Sequence, residues 1–301
     1  TGLGNLNSIS GNLEVHDNVL LISLSGLDYL IAVGGGLTID NNPVLKSLTG
    51  LNNLHSIGGN FKVQSNQSLT SFSGLDNLSS ISGELLVESN PLLVDLTGLE
   101  KLDSIDGNLN IRYNALLINI SGLNRLRYIG GLSVIGNNTL PDLNGLHNIS
   151  AIGGGVRIAG NPVLTSIASL DNLTYIPGSL EIGIIYNTLY YGNPSLISLT
   201  GLENVDSVGG NVTIYENESL HDLEGLNQLV TIGGNLQIDH NESLVSLNGL
   251  NSLINIIGNL VIGSHYSGGI HAFVNFTGLE NLVSIGGNLI VCAHASLLNL
   301  P

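Results

Sequence analysis

The chain contains no tryptophan and no methionine, and aromatic residues make up only 4% of its 301 residues. Charged residues are also scarce, at 10% against about 25% in an ordinary globular protein. This argues against an average enzyme, which builds its pocket from aromatics and several charges. Lys and Arg total 7 against 23 Asp and Glu, for a formal charge of −16. A nucleic-acid binder needs a basic stripe to displace counterions, and an anionic membrane surface needs the same. Neither partner is expected here. A single cysteine, Cys292, leaves no internal disulfide. That suits a reducing compartment, and equally a secreted protein whose core needs no staple. The chain has no run of 18 apolar residues, so neither a signal peptide nor a transmembrane segment is expected in it. Starting at Thr1 rather than Met, the chain reads as a processed protein or part of a longer one.

What is abundant is apolar residues, at 43%, and glycine, at 40 residues. Such apolar content excludes intrinsic disorder. Glycine recurs in the dipeptide Gly-Leu at Gly2, Gly26, Gly50, Gly74, Gly98, Gly122 and Gly145. The series continues as Ser169-Leu170, Gly201, Gly225, Gly249 and Gly278. The interval is 24 residues, apart from single intervals of 23, 32 and 29. A fixed period of this length marks a repeat architecture.

Within one unit, Leu45, Leu48, Leu51, Leu54 and Ile57 are three apart, and then Phe61 and Val63 are two apart. Spacing two is a strand with one face buried. A long run at spacing three fits neither a helix nor a strand. It fits a coil that turns repeatedly and drops one side chain inward per step. Gly-Gly before the strands and Asn-Pro after several of them, as at Asn42-Pro43 and Asn90-Pro91, disfavour helix. One unit cannot bury its own apolar stripe, but stacked units can. The fold expected is therefore all-β, a right-handed parallel β-solenoid of about twelve 24-residue leucine-rich coils with little or no helix. It forms one domain over 1–301, with insertions at about 183–192 and 263–273. At the spacing of paired strands, twelve coils make a rod roughly 58 Å long. An Asn three residues after the strand repeats at Asn18, Asn42, Asn66, Asn90, Asn114, Asn137, Asn161, Asn217 and Asn241. Such a column is expected to be a structural ladder whose amides satisfy turn backbone.

The repeat L-x-I-x-x-N-x-x-L-x-x-L-x-G-L-x-x-L-x-x-I-G-G-N is carried clearly by residues 59–66 and 234–241. It resembles the receptor L-domain branch of leucine-rich-repeat proteins, over essentially the whole chain. The chain is longer and more regular than the receptor L-domains and lacks their cysteines. It looks more like secreted bacterial repeat proteins or fungal cell-wall glycoproteins. The resemblance implies an extracellular or cell-surface location and a binding or adhesive role rather than catalysis.

Positions pointing out of the strands vary while the core is monotonous. They include Thr38/Asp40, Lys62/Gln64, Asn110/Arg112, Ser133/Ile135, Thr213/Tyr215 and Gln237/Asp239. All seven Lys and Arg fall between Lys46 and Arg157. Both insertions leave the coil just after the strand, and both are aromatic. Tyr186, Tyr190, Tyr191, Tyr266, His271 and Phe273, with Tyr215, form a candidate ligand-binding platform. His265 and His294 take the ladder position with His240 nearby. Substitution into the ladder explains them more simply than a metal site, and no metal is assigned. Glu216/Glu218 and Asp222/Glu224 would hold Ca²⁺ only loosely, so no cofactor is expected. Ten N-x-[ST] sequons occur, of which Asn77, Asn148, Asn172 and Asn275 are the glycosylation candidates in a eukaryotic source. No nucleophile elbow or phosphate-binding loop is present.

The expected function is extracellular, non-catalytic recognition or adhesion. Its partner would be a cell-surface glycan or protein, met by the outward sheet face or the aromatic insertion edge. The alternatives are a self-assembling extracellular rod (sheath, fibre or spacer), whose partners are copies of itself, and ice binding. Ice binding is weakened by the outward columns, where only Thr38 and Thr213 occupy the first.

Overall fold

A computed structural model describes residues 3–186, 189–263, 272–292 and 296–297. The chain divides into two compact units, Thr1–Ile149 and Ser150–Pro301. Each is a parallel β-solenoid.

In the first unit, two-residue strands alternate with four-residue strands. They are β1 (Ser8–Ile9), β2 (Leu13–His16), β3 (Ala32–Val33), β4 (Leu37–Asp40), β5 (Ser56–Ile57), β6 (Phe61–Gln64), β7 (Ser80–Ile81) and β8 (Leu85–Glu88). Further on, both segments fuse into β9 (Ser104–Arg112) and β10 (Tyr128–Ile135). Equivalent residues pair in parallel from coil to coil, as Leu13, Leu37, Phe61, Leu85, Leu109 and Leu132 do.

The second unit repeats the plan with β11 (Ala151–Ile152), β12 (Val156–Ala159), β13 (Tyr175–Ile176) and β14 (Leu180–Ile182). The first insertion follows as an antiparallel hairpin, β15 (Ile184–Tyr186) and β16 (Leu189–Tyr191). The coils resume with β17 (Ser207–Val208), β18 (Val212–Tyr215), β19 (Thr231–Ile232), β20 (Leu236–Asp239), β21 (Asn255–Ile256), β22 (Leu260–Ile262), β23 (Ser284–Ile285) and β24 (Leu289–Val291). Among the described residues there is no α-helix. Two three-residue 3₁₀ turns occur, at Ser121–Leu123 and Ala168–Leu170.

The three-residue apolar spacing has a hydrogen-bond cause. Leu45 N–H donates to the Asn42 carbonyl, Leu51 to Leu48, and Leu54 to Leu51. Each i to i−3 bond closes one β-turn, and each turn sends one leucine inward. Leu45, Leu48, Leu51 and Leu54 are all fully buried. The glycine of Gly-Leu is required twice over. Gly74 has φ +109°, and a Cβ there would strike the backbone of Leu48 and Thr49 in the preceding coil. Where Ser169 replaces it, the turn is the 3₁₀ turn Ala168–Leu170.

Buried asparagines tie successive coils together. Asn66 donates its backbone N–H to Asn90 Oδ1 (3.1 Å). Its Nδ2 reaches the carbonyls of Gln64 in its own coil (2.8 Å) and Ile39 in the preceding one (3.0 Å). Asn42, Asn90, Asn114 and Asn217 repeat this pattern. Asn137 and Asn241 are likewise fully buried, with Nδ2 bonded to the corresponding carbonyls. Asn161 bonds Asn193 through both its backbone N–H and its Nδ2. Asn193, absent from the sequence-derived column, is a full member: it is buried and bonds Asn217 (3.2 Å) and the Ile158 carbonyl (3.0 Å). Asn18, in the first coil, is exposed. Residues just before ladder asparagines are held at positive φ, among them Asp17 (60°), Asn41 (51°), Tyr113 (56°) and His240 (53°).

Asn90→Ala would strip partners from two buried backbone groups, Asn66 N–H and the Val63 carbonyl, and from the part-buried carbonyl of Glu88. At about 1–3 kcal/mol for each unsatisfied buried group, a loss of roughly 3–5 kcal/mol is expected in denaturant unfolding. Asn18→Ala, at an exposed position, is expected to cost under about 1 kcal/mol.

Candidate functional site

Alternation along the strands turns every second side chain away from the core. In the first unit the outward positions of β4, β6 and β8 are half-buried and polar except for Leu86: Thr38/Asp40, Lys62/Gln64 and Leu86/Glu88. Toward β9 and β10 this face closes into a polar cluster. Asn110 is 4% exposed and Ser133, beside it in register, 7%. Asn110 Nδ2 donates to Glu84 Oε2 (3.3 Å), and Arg112 Nη2 donates to Asn110 Oδ1 (2.8 Å). Lys62 Nζ lies 3.4 Å from Glu84 Oε1.

Two polar atoms in this cluster are buried without a hydrogen-bond partner, Arg112 Nε and Ser133 Oγ. Glu88 stands opposite Arg112 in register, but no carboxylate oxygen lies within 4 Å of the guanidinium among the described residues. Next along the chain, Tyr113 is 45% exposed. Its ring lies over Gly136, where an added Cβ would meet Cδ1 at 2.5 Å. Sequence reasoning treated Asn110, Arg112 and Ser133 only as members of a varied face, and did not single out Tyr113. Their convergence depends on the pairing of β9 with β10, which the sequence signals only through the repeat register.

The second unit differs. Tyr215 is 1% exposed, which corrects its expected outward, ligand-facing position. The hairpin strand β15 packs against β18, and at its root a Cβ on Gly183 or Gly192 would collide with the carbonyls of Tyr215 and Glu216. Asp239, also expected to point outward, is fully buried. Its Oδ2 is 3.0 Å from His240 Nδ1, and the His240 ring packs on Tyr215 with centroids 4.9 Å apart. Phe273 is likewise buried, edge-on to Phe276 at 5.3 Å, which removes it from an exposed platform. Tyr191 is half-buried in β16. The side chains of Tyr186 and Tyr190, and all of Tyr266, His271, His265 and His294, lie outside the described residues.

Around this edge two titratable groups, Glu216 and Cys292, are shifted chiefly by burial. Glu216 has its carboxyl raised above the ordinary value, chiefly by burial, with Glu218, Glu242 and Asp239 adding repulsion against the opposing effect of His240. The Cys292 thiol is pushed up by burial and by the Asp239 carboxylate. A raised thiol holds little thiolate at neutral pH and is a poor nucleophile. The described residues include no group of three His, Cys, Asp or Glu placed to hold a metal ion. Asp222, considered for loose Ca²⁺ binding, accepts the Glu224 N–H (3.0 Å) within its own turn.

Of the sequon asparagines, Asn77, Asn148 and Asn172 share one position of the repeat, three residues after the Gly or Ser of the dipeptide, and Asn275 lies three before its glycine. Asn148 and Asn172 are exposed, while Asn77 and Asn275 are half-buried. Asn77 Nδ2 donates to the Asn52 carbonyl (2.7 Å) and Asn148 Nδ2 to the Asn124 carbonyl (2.6 Å). Comparison of the chain with models of known protein families returns no match, and comparison with curated protein sequences returns none either. No helix among the described residues is long and apolar enough to cross a membrane.

Glu216 supplies a pH prediction. A carboxyl raised by burial favours the folded state at low pH and penalises it as pH rises above the ordinary value of 4.5. Glu216→Gln is therefore expected to raise the melting temperature at pH 7, and the gain should shrink to nothing near pH 4.

Proposed function

We propose that the protein is an extracellular, non-catalytic recognition or adhesion module related to the receptor L-domain-like repeats, and that it binds a cell-surface glycan or protein. The binding face assigned to it is the outward sheet of the first unit. The observation that carries this reading is the cluster at Asn110, Arg112 and Ser133. Side chains there are held rigidly by strand pairing yet retain two hydrogen-bonding atoms without partners. Preorganised polar groups on a rigid scaffold, beside an exposed tyrosine, suit recognition. The insertion edge supports this role less well, because Tyr215 and Phe273 are spent on packing.

An array of cell-surface glycans and proteins, probed with the purified chain with and without Ca²⁺, tests the proposal. Retention is expected to fall at least tenfold in Tyr113→Ala and to persist in the Tyr190→Ala, Tyr191→Ala double variant. The opposite pattern would move the site to the insertion edge. A blank array for the wild-type chain would overturn the recognition reading.

A further inference from the structure

Resting on that reading, we propose that the Arg112–Ser133 cluster is a subsite for a sugar that carries a carboxylate. The geometry supplies two hydrogen-bond donors and no acceptor for them. Arg112 Nε–H cannot accept, and Ser133 Oγ–H can donate. Both atoms are buried and unpartnered. A buried donor left unmade is costly, and a partly buried guanidinium without a counter-ion more so. Two polar groups beside them are already paired. Asn110 is spent between Glu84 and Arg112, and Glu84 also neutralises Lys62. What the cluster lacks is an anionic acceptor with two oxygens, and a carboxylate meets a guanidinium in that way. Arg112 as a whole is half-exposed while its Nε is buried, so admitting the ligand requires the guanidinium to shift.

One further observation favours a sugar over an acidic peptide, and a second favours an anion at this place. Tyr113, the residue after Arg112, offers a partly exposed ring over Gly136, and Gly136 directly follows Ile135, the register partner of Arg112. An aromatic face beside planar polar groups fits the mixed apolar and hydroxyl surface of a pyranose ring. The anion also finds the one tolerant region of an acidic chain, because every Lys and Arg lies between residues 46 and 157. Glu88, opposite Arg112, is the nearest repulsive group in register.

Titration calorimetry with trigalacturonate, its fully methyl-esterified form and a hexaglutamate peptide tests the inference on the full chain. Trigalacturonate is expected to bind, and methyl esterification to weaken it at least tenfold. Arg112→Gln should weaken it by a similar factor and Ser133→Ala by about threefold or more, while Glu88→Gln should tighten it. Ser133→Ala removes a hydroxyl that has no partner, so its melting temperature should not fall, which separates lost binding from lost folding. Equal binding of the ester, unchanged binding by Arg112→Gln, or binding of hexaglutamate without trigalacturonate would each overturn the carboxylated-sugar assignment. In those cases array hits lost in Tyr113→Ala would leave the wider recognition reading standing.

Discussion

The buried asparagine ladder is the interaction on which both units depend. Each amide spans two coils. It accepts a backbone N–H of the preceding coil and donates to a carbonyl of that same coil and to one of its own, as Asn66 does with Asn42, Ile39 and Gln64. A ladder residue lost inside the stack strands backbone groups that water cannot reach. The same amide bonds the carbonyl two residues before it, which requires the intervening residue to turn left-handed. Ser65, Ser89, Tyr113, Glu216 and His240 all adopt that conformation at a cost that only glycine escapes. Chain direction at the ends of β4, β6, β8, β9, β18 and β20 is thus set by the ladder rather than by local preference.

This constraint separates two kinds of position. Inward residues are confined to Leu, Ile, Val and an occasional Phe, because each fills a slot bounded by the coils above and below. Outward residues are held in register at strand spacing but are otherwise free to vary. The units use that freedom differently. In the first, the outward strand positions keep polar groups together and culminate in Arg112 with its unpartnered Nε. In the second, hairpin strand β15 packs on β18, and Tyr215 and Asp239 are buried against the half-buried His240. Of the aromatics that made the insertions conspicuous, Phe273 is buried edge-on to Phe276.

Much of the fold was legible because the repeat is nearly perfect. The 24-residue Gly-Leu interval reports a left-handed turn pressed against the preceding coil, as at Gly74, and the three-residue leucine spacing reports successive β-turns. Legibility failed where the period did. Asn193 escaped notice because the hairpin displaces it by eight residues from its expected phase, although its bonds match those of its neighbours. Tyr215 and Asp239 were read as outward because alternation assigns a side of the strand without showing what covers that side. The Arg112 cluster was legible only as variety. Asn110 and Ser133 are 23 residues apart in sequence and meet through parallel register.

The most direct test of the ladder's governing role is hydrogen exchange at the asparagine side chains, followed by NMR. The Nδ2 protons of Asn66, Asn90 and Asn114 are expected to exchange only with opening of the stack, on the order of 10³-fold or more slower than those of exposed Asn18. Exchange at the ladder positions as fast as at Asn18 would show that the amides are not locked between coils, and would contradict the account of how the outward face is held.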